Sequence, residues 1–418
     1  MIVAVVGLWH LGCVTAACLA RAGHTVIGFD HDARTIAKLR QGSAPIAEPG
    51  LEAYLREHAA RIEYTTDPAA AARAELAWIT YDTPVDDDDR ADTELVLAQV
   101  ARLIPHLRDD AVVLVSSQLP VGSCKRIEAL RAGLRVACSP ENLRLGKAIQ
   151  VFSEPDRVIV GVRDDVARAR ITTLLTPITS RIEWMSVESA EMTKHAINAF
   201  LAVSVTFANE LATLCERVGA DAKEVERGLK TESRIGPRAY LAPGGAFAGG
   251  TLARDVAFLA ELGAGPLIAS VRPSNAAHAR WAIRKIEQRL GDARGHTIAI
   301  WGLTYKPGTD TLRRSMAIET GRALAAAGAR VVAWDPAVRT LPDELAHEIT
   351  LAPSAEAALR DASVLVVATP WPELARIELA ASIATMRRRL VLDADRFLAK
   401  PFGKLEVEYV AVGVPDHG

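Results

Sequence analysis

Five short apolar runs within the first 140 residues, IVAVVG, TVIGFD, ELAWIT, AVVLVSS and RVACSP, carry no apolar/polar alternation. A strand with one solvated face alternates, whereas a strand buried on both faces reads as a continuous apolar run. Runs of this kind, with helical patterns between them, require helices on both sides of a parallel sheet. The chain is therefore predicted to be α/β, with a doubly wound sheet in its N-terminal part. From about Ser189 the period changes. SAEMTKHAINAFLAVSVTFANELATLCERVG meets neither proline nor glycine before Gly219, and its apolar residues recur at helical spacing. A helix of that length is expected to build a dimer interface. Strand patterns return at HTIAIWGLTYKPGTD and continue through ALAAAGARVVAWDP, SVLVVATP and RLVLDAD. The order is α/β, helical spacer, α/β, and the two ends repeat an architecture but no recognisable sequence.

The length of 418 residues suits two or three domains at about 150 residues each. A formal charge of −2 gives no electrostatic footprint for nucleic acid or an anionic membrane. The run Asp86–Asp89 reads as a solvated loop rather than a metal site, and no metal is expected. MIVAVV leads into structure rather than forming a leader peptide, and no apolar run reaches the roughly 18 residues of a membrane helix. Cys13, Cys18, Cys124, Cys138 and Cys215 are scattered without C-x-x-C spacing, so a cytoplasmic protein with reduced, buried thiols is the expectation.

The first strand runs into GLWHLG. In a G-x-G-x-x-G turn the first glycine makes the tight bend, the second admits the pyrophosphate, and the third lets helix and strand pack closely. Gly7 and Gly12 supply the first and third, and Trp9 stands at the second. The second strand ends in Asp30, where a carboxylate accepts a ribose 2′-hydroxyl and repels a 2′-phosphate, which favours NAD over NADP. With Trp9 in place, either the indole packs aside and NAD is held slightly displaced, or the site has lost its cofactor. The candidate cofactor residues are Gly7, Trp9, His10, Leu11, Gly12, Asp30, Thr83, Pro84 and Ser117. His10 has a plainer reading as a packed turn residue.

Four longer stretches, Ser139–Gly161, Ala190–Glu210, Ser233–Val256 and Trp301–Ser315, occur in an order and spacing that resemble the UDP-glucose/GDP-mannose dehydrogenases. The resemblance runs from Gly7 to about Asp395. It implies an NAD-binding Rossmann domain over 1–188, a central helical, dimerising region over 189–290, and a Rossmann-like nucleotide-sugar domain over 291–418. Members oxidise the C6 alcohol of the sugar to a carboxylate in two hydride transfers. A cysteine traps the intermediate aldehyde, because a thiolate both attacks aldehydes and leaves thioesters readily.

Carried over by motif, Lys194 and Asn198 occupy the lysine and asparagine places, one turn apart on one helix face. Glu141 matches the glutamate of the PE motif and Asp255 the aspartate that closes the glycine-rich loop. A lysine and an amide stabilise a developing oxyanion, and carboxylates move protons and position water. Leu143, Arg144, Tyr240, Gly244, Phe247, Lys306 and Arg313 are the implied substrate-binding residues. Each group has a plainer reading. Lys194 would snorkel to solvent, Glu141 would cap the following helix, Asp255 would sit at a helix N-terminus, and Lys306 and Arg313 would form surface ion pairs.

The family's loop reads G-F-G-G-S-C-F-P-K-D, and the chain reads AFAGGTLARD, which puts Thr251 at the cysteine position. Leu145, Gln118 and Asp82 also depart from the family pattern. An unactivated threonine is a poor nucleophile and its ester leaves slowly. The expected reaction is therefore one two-electron step, with a second oxidation through an aldehyde hydrate as an open route. A redox-neutral epimerase that keeps its NAD, and a silent binding subunit, are the other readings.

Overall fold

The computed structural model describes residues 1–84, 86, 91–141, 143–248 and 250–415. Asp86 is exposed, and Asp87–Asp89 lie outside the described residues. The chain divides into two compact units, 1–197 and 198–418.

Among the described residues the first unit holds eight strands: β1 (Ile2–Val6), β2 (Thr25–Phe29), β3 (Ile62–Thr65), β4 (Leu76–Ile79), β5 (Val112–Val115), β6 (Arg135–Cys138), β7 (Val158–Gly161) and β8 (Ile182–Met185). Their order across the sheet is β3-β2-β1-β4-β5-β6-β7-β8. All neighbours run parallel except β6 and β7, which meet antiparallel at Cys138 and Gly161. Val3 and Val5 enter one apolar core and Ala4 and Val6 another, so both faces of β1 are covered, as its unbroken apolar run requires.

The second unit repeats this design with β9 (Thr297–Trp301), β10 (Arg330–Trp334), β11 (Ile349–Leu351), β12 (Val364–Val367), β13 (Leu390–Asp393) and β14 (Glu408–Val410). The order β11-β10-β9-β12-β13-β14 matches the first six strands of the other sheet. In each sheet the chain reverses its direction of travel beside the first strand, and ligands of such sheets bind at the strand ends next to that reversal.

Strands β3, β8, β11 and β14 give little sequence signal. IEYT and IEWM mix charged with apolar residues and are only partly buried, and the other two are three residues long. The long helix runs Val187–Val218, and Gly219, at φ +79°, ends it in a left-handed turn closed by the Ala220 amide on Cys215 O. Contrary to the sequence expectation, this helix is long and apolar enough to cross a membrane by length and composition; 44% of its most apolar window is buried within the protein.

Candidate functional site

In the first unit, Gly7 adopts φ +94°, and a Cβ there would lie 2.6 Å from the Tyr81 ring and 2.8 Å from its amide nitrogen. Only glycine fits. Gly12 packs against the Gly7 carbonyl so closely that a Cβ would overlap it, and Thr80 Oγ1 donates to that same carbonyl at 2.9 Å. First and third glycines thus do what the turn requires of them. Trp9 caps helix His10–Arg21 in an extended conformation and is 45% exposed. The Leu8 amide donates to Asp30 Oδ2 at 2.7 Å and the Asp32 amide to Oδ1 at 2.9 Å, which holds the carboxylate at the end of β2 beside the turn. Burial, followed by the nearby Asp30 charge, pushes the Tyr81 phenol well above its ordinary range. Leu11 is half-buried, and Thr83 is buried and donates to Gln118 O at 2.8 Å. Pro84 is exposed and its carbonyl accepts the Asp92 amide at 2.8 Å. The Ser117 hydroxyl is buried without a protein partner. The turn amides, Asp30 and this free hydroxyl are a donor and acceptor set that fits a dinucleotide, and His10 is tied into it by a 2.9 Å bond to Glu48.

Beneath the end of β5 lies a small cavity of about 20 Å³, lined among others by Ser117, Gln118, Cys138, Glu141, Lys194 and His195. Lys194 does not snorkel away. Its side chain is 14% exposed, and Nζ donates to Glu141 O at 2.6 Å and stands 3.9 Å from Oε2. Glu141 does not cap the next helix, Ala148–Ser153, whose N-cap is Lys147. Two neighbours on the same long helix brace this arrangement. Glu191 accepts the Gly122 and Cys124 amides at 2.8 Å each, and the His195 ring nitrogen is 3.0 Å from Leu119 O. Neither was singled out from sequence, because their partners lie some 70 residues away.

Cys124 and Cys138 line the same cavity, a proximity invisible in the linear sequence. All five thiols are free and buried. The neighbouring Cys138 thiol and burial hold Cys124 far above the ordinary thiol range, and burial pushes Cys13 up to about 12 and Cys18 to about 11. Thiols so placed are inert.

In the second unit, Asn198 Nδ2 donates to Asp255 Oδ2, both groups buried. Helix Gly250–Glu261 begins five residues before Asp255, so the aspartate sits mid-helix and its side chain faces the long helix, not a helix terminus. Thr251 lies in the first turn of that helix and is exposed. The preceding glycine loop is held by side chains from three directions. Asn209 accepts the Gly244 amide at 3.0 Å and donates to Gly245 O at 3.1 Å. Asp395 accepts the Gly245 amide at 2.8 Å, and a Cβ on Gly244 would overlap that carboxylate. The His278 Nε2 is 2.8 Å from Gly244 O, and burial depresses the pKa of this ring. Asn275 brackets Phe247, accepting its amide and donating to its carbonyl at 3.0 Å each.

The remaining substrate-binding candidates divide. Tyr240 is 60% exposed and Arg144 and Arg313 are exposed, whereas Leu143 packs on the core of the first unit and Phe247 on the apolar face of the long helix. Lys306 is half-buried with Nζ 5.9 Å from the Tyr305 ring centre. Asp335, the counterpart of Asp30 at the end of β10, is 1% exposed. Its carboxylate is filled by the Leu303, Thr304 and Ala337 amides, the Thr304 hydroxyl and the Trp371 indole. That acid is structural. No cluster of three or more metal-ligating side chains occurs among the described residues.

A glycine turn with Asp30 held beside it by two amides in one unit, and a Rossmann-like copy whose Asp335 is buried in the other, fit a dinucleotide-dependent dehydrogenase with a second Rossmann-like domain. Models of the UDP-glucose/GDP-mannose dehydrogenase family match in three parts: the NAD binding domain over 1–179, the central domain over 188–276 and the UDP binding domain over 299–400. The chain is 34% identical to UDP-glucose 6-dehydrogenase of Pseudomonas aeruginosa, covering 98% of this chain and 96% of that one. It is 33% identical to UDP-glucose 6-dehydrogenase of Rhizobium meliloti over the whole of both. Among solved structures, a UDP-glucose dehydrogenase from Pyrobaculum islandicum shares 29% identity and a TM-score of 0.84, covering 99% of this chain and 97% of that one. A UDP-D-ManNAc dehydrogenase from Pyrococcus horikoshii shares 25% identity and a TM-score of 0.86 over the whole of both. The chain belongs to the UDP-glucose/GDP-mannose dehydrogenase family. It is an NAD-dependent enzyme of the nucleotide-sugar dehydrogenase kind, and its cofactor is NAD.

Proposed function

We propose that the chain oxidises a CH–OH carbon of a UDP-sugar to the carbonyl in one two-electron step. NAD, held at Gly7–Gly12 and Asp30, supplies the hydride acceptor. In the first unit Lys194 stabilises the alkoxide as the hydroxyl proton passes to water, and Glu141 keeps the ammonium in place. In the second unit Asn198 presents its amide with Asp255 as orienting partner, and the exposed Thr251 hydroxyl hydrogen-bonds substrate without forming an ester. Lys306, Arg313, Tyr240 and the clamped loop at Gly244 receive the nucleotide sugar. The three regions 1–188, 189–290 and 291–418 then serve cofactor binding, dimerisation and nucleotide-sugar binding.

Two further statements belong to this reading. The chain pairs as a homodimer through the long helix, whose Phe200, Phe207, Leu214 and Val218 are 68%, 50%, 52% and 76% exposed at heptad-like spacing. It works in the cytoplasm, where reducing conditions keep its five thiols free.

The observation that carries the single-step assignment is Thr251 in the cysteine place. The assay counts NADH formed per UDP-glucose consumed. One NADH with a carbonyl product supports the assignment. Two NADH with a carboxylate overturn it in favour of the hydrate route, and no net NADH excludes a dehydrogenase acting on that sugar.

A further inference from the structure

His10 opens the helix that follows the glycine turn, and its ring nitrogen stands 2.9 Å from Glu48 Oε2. Glu48 comes from the segment between helices Ala33–Arg40 and Leu51–Glu57, and its side chain is 1% exposed. The same Oε2 accepts the Gly146 amide at 2.8 Å, and Oε1 accepts the Ala148 amide at 2.9 Å. Gly146 adopts φ +89° in a turn closed by the Lys147 amide on Arg144 O at 2.9 Å. One buried carboxylate thus joins the cofactor turn to the stretch that leaves Arg144 and enters helix Ala148–Ser153.

A buried carboxylate is tolerated only when its lone pairs are satisfied, and removing it would strand three donors at once. Because His10 and Gly146 share one oxygen, a change in the imidazole's bond changes the charge left for the Gly146 amide. The two stretches are therefore energetically linked, although 136 positions separate His10 from Gly146.

We propose that Glu48 is a positioning residue that couples dinucleotide binding at the glycine turn to the order of the Arg144–Ala148 stretch. The inference rests on the reading above only in placing the substrate near Arg144. Occupation of the turn fixes His10, His10 fixes the carboxylate, and the carboxylate fixes the Gly146 and Ala148 amides.

Amide hydrogen exchange read by mass spectrometry tests this on the full-length protein, with saturating NAD as the only added ligand. NAD slows exchange of the peptide covering 143–153 by on the order of tenfold, a coupling of ordinary size. In Glu48→Gln the slowing disappears while NAD still quenches tryptophan fluorescence. A role confined to stability would raise exchange equally with and without NAD and leave their ratio unchanged. The proposal is overturned if NAD leaves the wild-type peptide unaffected, if NAD does not bind, or if the slowing persists in Glu48→Gln. No sugar is present, so a protected loop together with no turnover of UDP-glucose would fault the proposed reaction and leave the coupling standing.

Discussion

Thr251 carries the chemical question at its smallest scale. A thiol with an ordinary pKa near 8.5 is a few per cent thiolate at neutral pH, whereas a threonine hydroxyl is almost entirely protonated there. The residue is exposed in the first turn of helix Gly250–Glu261, so a thiolate at this place would gain from the free amides of the helix terminus. Thr251→Cys is therefore expected to restore the covalent route, raising the yield from one to two NADH per UDP-sugar and turning the product into a carboxylate. Coupled spectrophotometry and product mass decide it, and a count that stays at one shows that more than the thiol has been lost. At this scale the sequence was legible where a motif fixes the partner. Gly7, Gly12 and Asp30 lie in one local unit, and Lys194 and Asn198 on one helix face. Glu48, Glu191, Asn209 and Asp395 were not legible, because each acts on backbone amides 35 or more residues away and nothing near it in sequence reports them.

Among the elements, the long helix was legible in full, its ends displaced by two residues at most, because thirty residues without glycine or proline leave one regular solution. The edge strands β3 and β8 were not, because half-exposed four-residue strands need no apolar run. The same helix carries two different faces. Ala199, Ala202, Ala212 and Cys215 are buried, while Phe200, Phe207 and Leu214 recur every seven residues on exposed ground. Small residues on one side let it approach its own unit closely, and large apolar ones on the other have no use in an isolated chain. A charge in the middle of that seam is incompatible with a buried partner helix. Phe207→Glu is expected to convert a particle of twice 44.8 kDa into one of 44.8 kDa by light scattering, with an unchanged helical circular-dichroism signal. A wild-type chain that is monomeric in the same measurement removes the dimer assignment altogether.

The two units together set how the whole molecule answers to pH. Each contains a buried histidine whose pKa lies below the ordinary 6.5, with burial as the leading cause: His24 in the first, beside Leu174 O, and His278 in the second, beside Gly244 O. A depressed histidine is neutral in the folded chain and takes up a proton in the unfolded one below pH 6.5. Its contribution is therefore fully present above pH 6.5 and is lost as the pH falls from there towards the folded value. The slope reaches about 1.4 kcal/mol per pH unit for each histidine. Buried Asp393 acts in the opposite sense, because its raised carboxyl pKa favours the folded state as acid is added. The decisive comparison is thus between proteins rather than along one curve. Urea unfolding of the wild type and of His278→Gln, whose amide keeps a donor for Gly244, is followed at pH 7, 6 and 5. The wild type is expected to lose stability across this range, and the variant to lose less by up to that one-histidine slope. If the units unfold in separate transitions, the difference falls on the second unit alone, while the first keeps its dependence on His24. Identical slopes in the two proteins would mean that His278 titrates normally, and that the clamp on the glycine loop draws nothing from its neutrality.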